Sequence, residues 1–281
     1  MTATITEPGT SLQVFDGIEQ GTDEWHAVRR GIITASVVGQ FITKGAPDAL
    51  TVGCPKCQAL AAEACISTAR KVPTPIKTAH DDRVAAAAEL PPVYGVAAND
   101  TSRALTMHLA AERITDYTEP THTSADMERG NLDEPYAREV YSEHYAEATE
   151  VGFMVRDDFG FRLGYSPDGL VGDDGLIEIK SRRQKIQLKT ILEDTVPLEN
   201  MAQIQCGLLV SGRDWLDYVS YCGGMPLYVK RVYPDINWFT AIKDAVTAFE
   251  DTAAQMLETY QAAIAGRPNT DRIDHFAEMR F

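Results

Sequence analysis

One stretch limits the folds open to this chain of 281 residues: Phe161 to Arg183, FRLGYSPDGLVGDDGLIEIKSRR. Gly172-Asp173-Asp174-Gly175 carries the residue types that supply the positive φ of a tight hairpin connection. The alternation in Leu176-Ile177-Glu178-Ile179-Lys180 then predicts a strand. Ile177 and Ile179 face a core, while Glu178 and Lys180 share the other face, about 6–7 Å apart. Asp168 sits in the turn Ser166-Pro167-Asp168-Gly169, where the first strand ends or bends, and the hairpin can return it to that same face. Two carboxylates and an ammonium meeting at one point form the charge pattern of divalent-metal chemistry on phosphodiesters. A solvated strand face accounts for a Glu and a Lys two apart equally well, so the flanking sequence has to decide.

The formal net charge of −15 argues against a surface that binds polyanions anywhere along it. It allows a deep site with locally basic walls. Two places have that local character. Lys180, Arg182, Arg183, Lys185 and Lys189 follow one another without an intervening acid, which suits neutralised phosphates or, more plainly, a solvated helix face. Arg29, Arg30 and Ser36 surround the start of a helix predicted to run through Phe41, after a first helix capped by Thr22 or Asp23 and ended by Gly31. Helix N-termini favour anions, so this junction is a candidate phosphate grip, with an ordinary Ser cap as the alternative.

Residues 46–95 differ in character from their surroundings. Cys54-Pro55-Lys56-Cys57 has the spacing that lets two thiolates hold one tetrahedral zinc, and Cys65 and His80 complete a Cys₃His set. Lys56, Arg70, Lys71, Lys77 and Arg83 give the segment a basic cast. The segment resembles small phage and actinobacterial zinc modules of the form C-P-x-C…C…H-x-x-R, and the resemblance covers Cys54, Pro55, Cys57, Cys65, His80 and Arg83. A module this small needs its metal to fold.

The remaining chain reads as alternating helices and strands. A helix spans 99–118, and another spans 126–141, with Met127, Leu132, Tyr136, Val140 and Tyr141 as its apolar stripe and Gly130 marking close packing. A mostly buried helix follows over 199–212, in which Gln203 and Gln205 cannot both face the core. Strands are predicted at 215–221 and 227–233, then a long amphipathic helix from Asp235. No apolar run is long enough to span a bilayer and the N-terminus lacks a signal pattern, which places the protein in the cytoplasm without a membrane partner.

Four motifs in order resemble the phage lambda exonuclease family, the YqaJ-like viral recombinases of the PD-(D/E)XK nuclease superfamily. They are Glu19-Gln20-Gly21…Trp25…Arg29…Gly31-Ile32-Ile33-Thr34-Ala35-Ser36, Arg129-Gly130…Glu134…Ala137-Arg138, Ser166-Pro167-Asp168-Gly169-Leu170…Glu178-Ile179-Lys180, and Met201-Ala202-Gln203-Ile204-Gln205. The resemblance implies an α/β fold: a restriction-endonuclease-like core with a mixed central sheet flanked by helices. It divides the chain into nuclease parts at 1–45 and 96–265, a small metal-binding insert at 46–95, and a tail at 266–281. Asp168, Glu178 and Lys180 look like the catalytic core, with Glu134 as an upstream acid; Glu134, Asp168 and Glu178 would hold Mg²⁺ or Mn²⁺. Gln205 looks like the glutamine near the scissile group, with Gln203 second. Arg29 and Ser36 look like the 5′-phosphate grip, and Ser166 and Arg182 fall on the substrate side. The family digests duplex DNA from 5′ ends and leaves 3′ single strands for an annealing protein; its best-known member is a ring-shaped trimer. The implied setting is the host cytoplasm, with double-stranded DNA ends, an annealing protein and further copies of the chain as partners. Two other readings remain at this point: a Cas4-like or RecB-like nuclease with an iron–sulfur cluster, for which Cys206 and Cys222 are poorly placed, and a non-catalytic DNA-binding protein on the same fold. The insert departs from the better-known members, so its zinc rests on the cysteine spacing.

Overall fold

The computed structural model describes residues 11–69, 72–120 and 124–273. Arg70 and Lys71, part of the 119–124 turn, and parts of the predicted leader and tail lie outside the described residues.

The chain opens with β1 (Leu12–Phe15), α1 (Asp23–Arg29), β2 (Ile33–Thr34), α2 (Ala35–Val38) and β3 (Ile42–Gly45). The insert contains α3 (Asp81–Ala88) and ends in β4 (Val93–Val96). Two helices follow, α4 (Asp100–Thr115) and α5 (Ala125–His144), and then β5 (Ala148–Thr149), β6 (Phe153–Arg156), β7 (Leu163–Tyr165), β8 (Gly169–Val171) and β9 (Gly175–Ser181). The chain finishes with α6 (Gln184–Glu193), α7 (Leu198–Ser211), β10 (Trp215–Tyr221), β11 (Tyr228–Val232) and α8 (Ile236–Ala263). This is a mixed α/β fold. The strands form a four-stranded sheet ordered β1-β6-β7-β2, a five-stranded sheet ordered β11-β10-β9-β8-β5, and a two-stranded ribbon of β3 and β4.

The predicted hairpin is present, and it ties the two larger sheets together. β7 belongs to the four-stranded sheet and β8 to the five-stranded one, so the chain changes sheets across Ser166-Pro167-Asp168. Pro167 has no N–H with which to continue a ladder, which suits a break there. β8 then pairs antiparallel with β9, Leu170 opposite Leu176, around a turn where Gly172 adopts φ +53°. β9 is central: β10 runs parallel on its other side, Tyr218 opposite Glu178. That parallel pairing needs a crossover, which α6 and α7 provide. The first five residues of β9 are buried on both faces, so a solvated face does not account for Glu178.

α5 covers one face of the five-stranded sheet, where Ala137 and Tyr141 pack with Ile177, Ile179 and Val219. The large core lies on the other side, around α7 and α8, with Leu163, Tyr165, Leu176, Ile204, Leu208, Ile242 and Phe249. The stripe expected on α5 is not the one observed. Met127, Leu132 and Tyr136 are 55%, 65% and 62% exposed. At 100° per residue Leu132 lies about 180° from Tyr141 and Tyr136 about 140° from it, so one buried face cannot hold all of them. Gly130 is likewise not closely packed: a Cβ there would meet nothing within 4 Å.

One other helix expectation changes. The helix expected from Ala35 to Phe41 is a four-residue α2 followed by a 3₁₀ turn, Gly39–Phe41. α8 does bury Trp238, Ile242, Val246, Phe249 and Ala253 as its periodicity predicts. The insert leaves and rejoins the fold at one place, because β3 and β4 pair with Gly45 opposite Val93. Among the described residues no helix is long and apolar enough to cross a membrane.

Gly207 on α7 illustrates a glycine demanded by packing: a Cβ there would lie 2.7–3.0 Å from the ring of Tyr165. Gly207→Ala is expected to destabilise the protein by about 1–3 kcal/mol through overpacking, despite alanine's better helix propensity. Urea unfolding checks this, and an equal or raised midpoint would contradict it.

Candidate functional site

The hairpin, α5 and α7 bring four predicted groups into one cavity of about 730 Å³, which Glu134, Asp168, Glu178 and Lys180 line together with Gln203. Glu178 is only 1% exposed, and both of its oxygens are engaged. Lys180 Nζ donates to Oε1 at 2.7 Å, Gln203 Nε2 donates to the same oxygen, and the Tyr165 hydroxyl donates to Oε2 at 3.3 Å. Asp168 Oδ2 accepts the backbone N–H of Ile179 at 2.6 Å, which fastens the sheet-changing turn to β9.

Glu134 reaches the cavity from α5 and is paired with Arg138 one turn later. Arg138 closes the motif Arg129-Gly130…Glu134…Ala137-Arg138, which by itself assigns it no role. It also donates from Nε to the backbone carbonyl of Asp168 at 2.7 Å and from Nη1 to Glu150 at 3.0 Å. One guanidinium thus positions two of the acids. The i,i+4 spacing of Glu134 and Arg138 was a usable signal for half of that role.

The electrostatics follow from crowding acids in a dry place. Burial pushes the Asp168 carboxyl well above the usual carboxylate range, and the charges of Glu178 and Glu134 push it further, against Lys180. Burial also raises Glu134, opposed by Arg138 and assisted by Glu150 and Glu178. Burial works against a charged Lys180, but Glu178 and Asp168 outweigh it and hold the ammonium above its ordinary range. Tyr165 is raised well above its ordinary value, first by burial and then by Glu178 and Asp168, so it remains a donor. Three carboxylates answered by one lysine and one shared arginine leave a site short of positive charge. Such a donor set, oxygen-rich and hard, fits a Mg²⁺- or Mn²⁺-type cation.

Arg29 and Ser36 line the same cavity. The Arg29 guanidinium lies 3.6 Å over the Trp25 ring and donates to Thr34 Oγ1 at 3.4 Å, while the Thr34 and Ser36 hydroxyls are 3.1 Å apart. Burial lowers Arg29 to about 10, opposed by Glu112, which leaves it charged at neutral pH. Glu112 is itself buried and accepts the N–H of Gly31, at φ +66°, at 2.8 Å. Thr34 and Glu112, which support Arg29 and its junction, were not identified from the sequence. The fork that Arg29 and Arg30 together would form around an anion is absent, because Arg30 turns to pair with Asp116 at 2.6 Å. The four-residue α2 is also too short to offer a substantial helix dipole, so any anion there depends on side chains.

Ser166 lines the cavity while donating to the carbonyl of Gly152 at 3.1 Å. Two expected residues lie elsewhere. Arg182 sits in a neighbouring cavity of about 510 Å³ with Arg129, Asp133, Arg183 and Lys185, and donates to Asn200 Oδ1 at 2.6 Å and the Tyr218 hydroxyl at 3.2 Å. Gln205 is buried against α8's start: Nε2 donates to the Tyr233 carbonyl and Oε1 accepts the Asp235 N–H, both at 2.9 Å. The order of the two glutamines is therefore the reverse of the one expected.

In the insert, ligand atoms of Cys54, Cys57, Cys65 and His80 all lie within 4.8 Å of one another. Thiolates bound tetrahedrally to zinc at about 2.3 Å sit about 3.8 Å apart, so the cluster has the size zinc requires. Cys54 Sγ and His80 Nδ1 are 3.4 Å apart. The His80 backbone N–H, opposed by burial and helped by Arg83, lowers the Cys65 thiol to about 6, toward the thiolate a metal needs. Arg83 is fully buried and stitches the module by donating to the carbonyls of Val52, Leu60 and Glu63 at 2.9, 2.9 and 2.7 Å. The module's own apolar core contains little beyond Cys54, Ala59 and Cys65.

The glutamine geometry makes a direct forecast. Gln205→Ala leaves the partly buried Asp235 N–H and Tyr233 carbonyl without their partner and is expected to cost about 1–3 kcal/mol of stability with metal affinity unchanged, whereas Gln203→Ala takes a hydrogen bond from the buried Glu178 carboxylate and is expected to lower both the urea midpoint and the affinity of the acid cluster for Ca²⁺. Equal Ca²⁺ affinities of the two variants by calorimetry would contradict these placements.

Residues 79–214 match the YqaJ-like viral recombinase domain, and residues 20–99 match a family described as "Putative DNA-binding phage zinc finger domain". The chain is similar to the crystal structure of an alkaline exonuclease, LHK-Exo, from Laribacter hongkongensis: TM-score 0.62 and 25% identity over 87% of this chain and 98% of that one. It is similar to LHK-Exo in complex with dAMP at TM-score 0.60 and 27% identity, with the same coverage. No curated protein matches it by sequence. The chain is thus similar to YqaJ-like viral recombinase domains over residues 79–214 and to a phage zinc-binding family over residues 20–99, with a fold like that of an alkaline exonuclease.

Proposed function

We propose that this protein is a metal-dependent deoxyribonuclease that digests linear duplex DNA from 5′ ends and leaves 3′ single strands for recombination by strand annealing. The observation that carries the reading is the meeting of Glu134, Asp168, Glu178 and Lys180 in a cavity that Arg29 and Ser36 also line. Glu134, Asp168 and Glu178 would hold one or two Mg²⁺ or Mn²⁺ ions. When bound, such an ion neutralises charge on the phosphodiester and acidifies water. Lys180, held as an ammonium by Glu178, orients the attacking water or steadies the developing negative charge. Gln203 and Tyr165 fix the Glu178 carboxylate in a single orientation.

Direction comes from the other polar lining of the cavity. Arg29 stacked on Trp25, with Ser36 beside it, binds a terminal 5′-phosphate and so sets which end enters the site. Arg129, Arg182, Arg183 and Lys185 in the adjoining cavity offer a path for the phosphate backbone, while the −15 net charge discourages binding elsewhere. The Cys₃His module binds zinc and adds a DNA contact. The outward-facing Leu132 and Tyr136 of α5 supply apolar surface for self-association. An iron–sulfur reading is not favoured: Cys206 belongs to the large core and not to the cluster of Cys54, Cys57, Cys65 and His80, so it does not supply a fourth thiolate there.

Digestion of end-labelled linear duplex, 5′-phosphorylated or not, with and without Mg²⁺, tests the function. Cutting is expected only with the metal and faster from phosphorylated ends. Lys180→Ala is expected to retain folding and DNA binding and to lose at least about 10²-fold in rate; wild-type cutting by the folded variant would remove Lys180 from the chemistry. Arg29→Ala is expected to abolish the preference for phosphorylated over hydroxyl ends, and an unchanged preference places the phosphate elsewhere.

For the module, elemental analysis is expected to find one zinc per chain in the native protein and none in Cys54→Ser, with the 46–95 segment of that variant becoming sensitive to protease. A native protein free of zinc would overturn the metal assignment.

A further inference from the structure

We infer that Gly130 keeps one turn of α5 bare so that the sugar–phosphate backbone of the nucleotide next to the scissile bond lies directly against the helix. The inference rests on the nuclease reading above and concerns a residue to which that reading gives no role.

Gly130 stands in the interior of a 20-residue helix, where a glycine is less stable than an alanine by roughly 0.5–1 kcal/mol. Something has to justify that loss. Packing does not, since a Cβ at Gly130 would meet no atom within 4 Å. The contrast with Gly207 is direct: there a Cβ would run into the Tyr165 ring, and the fold itself demands the glycine. Backbone conformation does not require it either, because Gly130 is absent from the residues with positive φ.

The position of the open space is informative. Gly130, Glu134, Ala137 and Tyr141 recur at spacings of four, three and four, and so share one stripe of the helix. Ala137 and Tyr141 press this stripe onto the sheet, and Glu134 brings it to the acid cluster. One turn further, Gly130 stands over the cavity, which it lines together with Glu134 and Asn131. Four residues advance about 6 Å along a helix, on the scale of one step along a phosphodiester chain. The bare turn therefore lies where the neighbouring nucleotide of a strand anchored at the acid cluster would pass. A side chain there would hold that strand away from the helix.

Pro135 supplies the rival explanation. It lies inside the same helix and disturbs the turn before it, so Gly130 could serve to accommodate a bend. The two explanations differ in the sign of one measurement. A methyl group added in open space should leave stability equal or higher, whereas a glycine needed for a bend should lose stability when replaced.

Gly130→Ala and Gly130→Leu, measured in the full-length protein beside the wild type, test the inference. The melting temperature of Gly130→Ala is expected to equal or exceed that of the wild type, and its calcium affinity by calorimetry to be unchanged, since Glu134 is undisturbed. Its KM for 5′-phosphorylated linear duplex is expected to rise roughly tenfold, which corresponds to about 1.4 kcal/mol of lost binding, and Gly130→Leu is expected to raise it further. A wild-type KM in both variants overturns the inference while leaving the nuclease reading intact. A lowered melting temperature in Gly130→Ala overturns it in favour of a structural role. A wild-type protein that does not cut linear duplex in Mg²⁺ overturns the nuclease reading, and this inference with it.

Discussion

The interaction on which the site depends is the burial of Glu178 on a strand that is covered on both faces. A carboxylate almost free of solvent has to be answered by charge and hydrogen bonds, and here Lys180, Gln203 and Tyr165 answer it. Each responder comes from a different place: the same strand, the crossover helix, and the end of the neighbouring sheet. Asp168 joins them because its turn is where the chain leaves one sheet for the other, and Ile179 fastens it there. The two sheets and α7 are thus joined through the same few atoms that make up the candidate site. Deep burial then crowds Asp168 and Glu134 beside Glu178, which raises both carboxyls and gives the cavity its demand for a cation.

Arg138 and Glu112 show how much of such a site is support. Arg138 holds the Glu134 side chain and the Asp168 backbone together, and Glu112 holds the Gly31 turn behind Arg29. A clamp of this kind keeps the acids and Arg29 at fixed positions in one cavity, as orientation-dependent chemistry requires. The insert follows a different physical logic. It hangs from a two-stranded ribbon and has almost no apolar core, so Arg83 and the Cys₃His cluster do the work that packed side chains do elsewhere.

What was legible came from residues whose chemistry acts locally. Thr22 caps α1 by accepting the Trp25 N–H, the Gly-Asp turn closes the hairpin, and the apolar period of α8 buries the residues it names. The C-x-x-C spacing places Cys54 and Cys57 in a common cluster. What failed depended on a distant partner. Gln203 and Gln205 are two apart on one helix; only the approach of β9 on one side and of the α8 start on the other decides which of them meets Glu178. Arg30 left the expected fork because Asp116, far along the chain, drew it away.

The sequence by itself determined the hairpin, its three charged residues and the zinc-type cluster, because turn chemistry, strand alternation and ligand spacing act over a few residues. Only the tertiary structure decided that Glu178 is buried, that α5 points Glu134 inward and Leu132 outward, and that Gly130 stands over open space. Those properties depend on what lies across from each residue, and a periodic pattern names a face without naming what covers it.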